Sequence, residues 1–146
     1  MESSIDNRQS ATEAATRRIT AFLDGPDSLD IGNIIHSTAG ASAYGFRGPL
    51  VGGVTVYGWT VPAILDVLGE RWLEDGWADV SFRRPVYPGD QMTARVERTA
   101  TGASLVMENQ DGEACISGEL GLGTAAWLKD VAVPSRRIAE HCCPGV

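Results

Sequence analysis

The sequence predicts an α+β domain in which an antiparallel sheet wraps around one long central helix. Two observations carry that prediction. Val54, Tyr57, Val61, Ile64, Leu65, Leu68 and Trp72 recur at spacings of three and four, the period of a helix, and Asp75-Gly76 stops the run. Beyond Gly76 the period drops to two, as in strands with one buried face, and turn residues divide the stretch into four segments. A buried helix followed by a meander finds its cover in the sheet that the meander makes.

Taken in order, residues 1–18 read as a flexible or helical lead. Ala15, Ile19 and Phe22 stand at helical spacing and predict a weak amphipathic helix over residues 11–22, or a helix leading into a strand. Asp24-Gly25-Pro26-Asp27 breaks the chain. Residues 28–53 are rich in Gly, Ser and Ala and hold His36, and so long an irregular stretch inside a compact domain points to function. The helix over 54–74 would be about 30 Å long. Val56, Trp59, Ala63 and Val67 make its other faces apolar too, so it is buried, and Pro62 bends it.

Four strands come next. Ala78, Val80 and Phe82 alternate with polar neighbours, Pro85 ends that strand, and Tyr87-Pro88-Gly89-Asp90 turns the chain. Met92, Ala94 and Val96 mark the next strand, and Thr101-Gly102 leads to a third over 103–108. Asn109-Gln110-Asp111-Gly112 turns into a fourth, where Ala114, Ile116, Gly118, Leu120 and Leu122 share a face. The domain proper covers residues 19–123, and 124–146, with Pro134 and Pro144, form a peripheral tail.

Composition narrows the function. A chain of 146 residues with 43% hydrophobic and 21% charged residues suits one globular domain. A net charge of −7 argues against nucleic acid and lends nothing to an anionic membrane surface. No run of apolar residues is long enough to span a bilayer, and the polar N-terminus lacks the apolar core of a signal peptide. Three cysteines, with Cys142 and Cys143 adjacent, do not make a secreted disulfide framework, so a cytoplasmic location is expected. His141-Cys142-Cys143 lacks further ligands at zinc-site spacing, and no metal or cofactor is expected.

Three phrases carry chemistry: Asn33-Ile34-Ile35-His36, then Tyr44-Gly45-Phe46-Arg47-Gly48-Pro49-Leu50-Val51-Gly52-Gly53, then Val80-Ser81-Phe82-Arg83-Arg84-Pro85-Val86-Tyr87-Pro88-Gly89-Asp90. In order and spacing they resemble the MaoC-like (R)-specific enoyl-thioester hydratases. That family shows an Asp-x4-His pair, a Gly-Phe segment, a turn into the central helix, and a strand ending F-x-x-P-V-x-P-G-D. The resemblance implies a hotdog fold, a homodimer or hotdog heteromer, and an acyl thioester of CoA or of an acyl carrier protein as substrate. It also implies hydration chemistry, which needs a base for water, an acid for the α-carbon and donors for the thioester carbonyl.

His36 matches the family's catalytic histidine, against the plainer alternative of a loop histidine hydrogen-bonded in place. The family's aspartate position is Ile31, and the nearest carboxylate, Asp30, stands one residue earlier. A one-residue bulge would make Asp30 catalytic; without it, Asp30 is a cap or a solvent-facing acid. Ile34 replaces the family's proline, and Gly52 replaces the histidine at the helix start, leaving room for a different or bulkier acyl group. Gly53, with Val54, would offer backbone N–H groups to the thioester oxygen, a role compatible with a tight turn needing glycine.

Asn33, Tyr57 and Arg84 complete the substrate-binding set, and Tyr44, Tyr57 and Trp59 either line the acyl tunnel or pack the core. Strand alternation sends Arg83 and Arg84 to opposite faces, so at most one meets a carrier phosphate. Two other readings compete with the hydratase or dehydratase. One is a catalytically incomplete hotdog subunit that binds an acyl thioester or pairs with an active partner. The other is a hotdog thioesterase using a helix carboxylate such as Asp66 or Glu70.

Overall fold

A computed structural model describes residues 12–23, 25 and 33–132 of the chain. Asp30 and the His141-Cys142-Cys143 triplet lie outside them. Five strands form one antiparallel sheet in the order β1-β3-β4-β5-β2: β1 Ala14–Thr20, β2 Gly76–Phe82, β3 Gln91–Thr99, β4 Gly102–Glu108 and β5 Ala114–Leu122. Alternation sets the register. Met92, Ala94 and Val96 of β3 and Ala103, Leu105 and Met107 of β4 turn inward and are buried, with Val96 opposite Leu105 and Ala94 opposite Met107.

Residues 14–20 form a strand where the spacing predicted a helix over 11–22. Ala15 and Ile19 are four apart, a separation that both periods accommodate. Here they are alternate inward positions of β1, paired with Val96 and Met92. Thr16, Ile19 and Thr20 are β-branched, which tips the choice towards a strand that β3 can receive.

The central helical layer carries α2 (Gly53–Gly58) and α3 (Val61–Leu68), followed by the short α4 (Trp72–Asp75), in place of a single 30-Å rod. The chain breaks at Trp59-Thr60. Pro62 therefore falls in the first turn of α3, where its missing N–H has no intrahelical acceptor to lose. Thr60, fully buried, donates both its hydroxyl (2.7 Å) and its N–H (2.9 Å) to the Tyr57 carbonyl, which holds the break in shape. Ala63, Ile64, Val67 and Leu68 of α3 press into the sheet and join β3 and β4 in one hydrophobic core. Arg98 of β3 donates to the Val67 carbonyl and so caps the C-terminal turn of α3. Among the described residues, no helix is long and apolar enough to cross a membrane.

Candidate functional site

His36 stands at the end of a 3-10 turn, Ile34–His36, that local chemistry holds in shape. Asn33 caps the turn by accepting from the Ile35 N–H (3.3 Å). Ser37, almost fully buried, donates to the Ile34 carbonyl (2.7 Å) and accepts from the Gly40 N–H (3.1 Å), which opens α1 (Thr38–Ala43). Gly40 is required at that junction, because a Cβ there would lie 2.0 Å from the Ile34 carbonyl oxygen.

The imidazole is fixed from the other side of the loop. Leu50 donates its N–H to the Ile35 carbonyl (3.0 Å), and His36 Nδ1 lies 2.7 Å from the Leu50 carbonyl oxygen. A carbonyl oxygen only accepts, so Nδ1 carries the proton of this bond. In the neutral ring Nε2 is then the lone-pair nitrogen, free to take a proton.

His36 lines an open cavity of about 330 Å³ whose walls are mostly apolar. Leu50, Val51, Val56, Val86 and Ile116, all buried, form its interior, and Phe46 and Phe82 stand nearer the opening. Gly53 belongs to the same wall: a Cβ on it would meet the Phe82 ring at 3.1 Å, so the bare backbone lets the ring lie close. Its φ is not positive, so close approach, and not a left-handed turn, is what glycine provides here. As the first residue of α2, Gly53 has an N–H with no intrahelical acceptor.

Both Arg83 and Arg84 line the cavity, whereas strict alternation placed them on opposite faces. The reason is that β2 ends at Phe82. Past it the N–H groups of Arg83 and Arg84 both point at the Cys115 carbonyl (2.7 and 3.4 Å), so the pleat no longer applies. Arg83 Nε donates to Ser117 Oγ (3.0 Å), and Arg84 pairs with Glu113 (3.4 Å).

Of the residues singled out in the sequence, His36, Gly53, Arg83 and Arg84 meet at this cavity. Asn33 stands behind it as the cap of the histidine's turn. Val54 is 86% exposed and off the lining, and Tyr57 and Trp59 pack against the core. Tyr44 is exposed and also off the lining. Burial pushes the Tyr57 hydroxyl pKa up. Burial, reinforced by the Asp90 and Glu113 charges, pushes up that of the Cys115 thiol, which keeps it protonated and a poor nucleophile. Asp66 is taken up by an ion pair with Arg17. Sequence reasoning missed Leu50, Val51, Val86 and Ile116, whose apolar character marks core and cavity wall alike.

The last phrase of the sequence, ending in Asp90, holds the site to the sheet. The Asp90 carboxylate is buried and accepts from the Tyr87 N–H (2.9 Å), Arg47 Nη2 (2.9 Å) and Gln110 Nε2 (3.3 Å). The Arg47 guanidinium also stacks 4.0 Å above the Tyr87 ring.

No family model and no curated protein matches this sequence. Solved structures do resemble it. R-hydratase PhaJ1 from Pseudomonas aeruginosa, unliganded, superposes with a TM-score of 0.56 at 19% identity over 79% of this chain and 83% of that one. The (R)-hydratase from A. caviae involved in PHA biosynthesis gives 0.53 at 23% identity, covering 78% and 98%. The C-terminally truncated HadBC (3R-hydroxyacyl-ACP dehydratase) complex from Mycobacterium tuberculosis gives 0.53 at 15%, again covering 78% and 98%. The protein thus has the hotdog fold, an antiparallel five-stranded sheet packed on a central helix. Within that fold it is defined by an apolar cavity with one oriented histidine.

Proposed function

We propose that this protein is a hydratase or dehydratase acting on an enoyl or 3-hydroxyacyl thioester, carried by CoA or an acyl carrier protein. The observation that carries the proposal is the His36 Nδ1 bond to the Leu50 carbonyl, which leaves Nε2 as the basic nitrogen beside an apolar cavity. The fold shared with (R)-hydratases and a dehydratase agrees with it.

In hydration, a proton leaves water as its oxygen bonds to the β-carbon. The π electrons move towards the thioester oxygen, and the α-carbon then takes a proton. His36 handles one of these transfers and Asp30, the carboxylate nearest to it in the preceding sequence, the other. The N–H of Gly53, at the start of α2 and on the cavity wall, receives the developing negative charge. Asn33 positions the turn that bears His36, and Arg84 meets the carrier at the cavity mouth. Dehydration is the same path reversed.

The test is incubation with crotonyl-CoA and longer enoyl thioesters, followed by loss of the conjugated enoyl absorbance. Thiol release from the same samples without enoyl loss would instead mark a thioesterase. One sequence feature favours a second reading, a subunit completed by an active hotdog partner: Ile31 stands where the resemblance places the carboxylate. Turnover by the purified chain alone rules that reading out.

A further inference from the structure

We infer that the β2 edge of the sheet takes a strand from another chain and selects that chain by charge, favouring one with Lys or Arg beside Asp79 over a second copy of this one. β2 ends the sheet, so its outward N–H and C=O groups have no neighbouring strand among the described residues. Its seven residues, Gly76–Phe82, include no proline, lysine or arginine, the residues that commonly blunt an exposed edge. Its inner side is unfinished too. α3 packs on β1, β3 and β4, and in β2 Ala78 and Val80 stay half-buried while Phe82 is exposed. Backbone pairing and apolar cover are what an added antiparallel strand supplies.

The outer side decides which strand fits. Alternation places Trp77, Asp79 and Ser81 there, and Asp79 stands directly opposite Glu119 of β5. Like charges so placed repel. Among the described residues neither makes an ion pair. The 3-10 turn Ala126–Asp130, whose Trp127 packs edge-on against Trp77, carries Lys129 and Asp130, whose charges cancel. A second copy adds to the repulsion. Full antiparallel overlap of two β2 strands about a two-fold axis sets Asp79 against Asp79 with Glu119 behind each, so carboxylates follow one another in a row about 5 Å apart. A slip of two residues, the smallest that keeps the faces aligned, leaves the two Asp79 side chains diagonal at about 7–8 Å. That is still within the Debye length of about 8 Å at physiological salt. Backbone pairing holds such a dimer together, but a strand with a cation in that place turns repulsion into attraction on the same backbone bonds.

The experiment mixes donor-labelled wild type with acceptor-labelled Asp79→Lys and reads the share of mixed dimers by energy transfer. Mixed dimers are expected to be favoured about fivefold over the statistical mixture, the scale of a cross-strand charge pair turned from repulsive to attractive. They then make up about four-fifths of all dimers instead of half, and the excess should fade in about 1 M salt, where the Debye length is about 3 Å. Glu97→Lys changes the net charge equally on the same sheet face, but on β3, three strands from the edge, and should mix statistically. Asp79→Asn by itself should dimerise about two- to threefold more tightly than wild type. A statistical mixture for Asp79→Lys, an excess no greater than that of Glu97→Lys, or an excess untouched by salt would overturn the inference. So would a chain that stays monomeric in every mixture, since no strand would then have docked.

Discussion

Replacing Asp90 by Ala tests how the site is tied to the sheet. The carboxylate is only 6% exposed and accepts three hydrogen bonds. The bonds from the Tyr87 N–H and the Gln110 amide are neutral donors and contribute about 1 kcal/mol each. The Arg47 pair counts for less than its 2.9 Å suggests, because the guanidinium side chain is 64% exposed and screened by solvent; it adds roughly 0.5 kcal/mol. Asp90→Ala should thus cost about 2–3 kcal/mol, which for a chain of this size lowers Tm by roughly 5–10 °C in calorimetry. Asp90→Asn retains an acceptor for the Tyr87 N–H and should lose less than half as much. Arg47 and Leu50 belong to one segment, so loosening Arg47 should also weaken the grip of Leu50 on His36 and lower kcat. An Ala variant melting within about 1 °C of wild type, or an Asn variant as damaged as Ala, would refute the accounting.

Four further outcomes are expected. His36→Ala should lower kcat by about two to four decades with folding intact, as removal of a proton-transfer group does, and steady-state turnover of a folded variant checks it. Asp30→Asn should lower turnover by about two decades; if it does nothing while Ile31→Asp raises activity, the carboxylate role belongs to position 31. Gly40→Ala should destabilise the protein by about 1–3 kcal/mol in urea denaturation, since its Cβ would collide with the Ile34 carbonyl, and should disturb the His36 turn as well. Light scattering should find a dimer, because β2 ends the sheet with Phe82 58% exposed and a second copy can satisfy that edge; a strict monomer would remove the expectation.

The sheet was legible in the sequence because one-sided burial imposes a period of two, and every inward residue of β3 and β4 obeys it. The first strand was misread because a spacing of four belongs to both periods, and only pairing with β3 decides between them. The helical layer was placed correctly along the chain, but periodicity does not see a break that keeps the apolar faces roughly in phase. Pro62 was the available signal: its place in a first turn is less costly than in an interior, which favours a new start at Val61 over a bend. At the site, His36 and Gly53 could be singled out by residue type. The partner of the histidine could not, since a backbone carbonyl 14 residues away carries no mark in the sequence. Arg83 and Arg84 failed the alternation argument because it was applied two residues past the strand's end.

The two strongest phrases of the sequence, around His36 and from Phe82 to Asp90, look independent but act on one object. Residues 44–52 belong to no helix or strand, yet they hold the histidine. Three ties make that possible. Leu50 is bonded through its N–H to Ile35 and through its carbonyl to His36, which locks the segment to the histidine's turn. The next residue, Val51, donates to the Val86 carbonyl (2.9 Å), which locks the segment to the chain leaving β2. Arg47 reaches Asp90 at the start of β3. A loop pinned at three points within five residues borrows the rigidity of the sheet without joining it, and the proton transfer proposed for His36 needs that rigidity to meet a reacting carbon repeatedly in one geometry. The Phe82–Asp90 phrase therefore bears on more than the turn that it forms. By presenting the Val86 carbonyl and the Asp90 carboxylate, it fixes the far side of the cavity relative to His36. A change that keeps the turn but moves either acceptor should leave the fold intact and still cost activity.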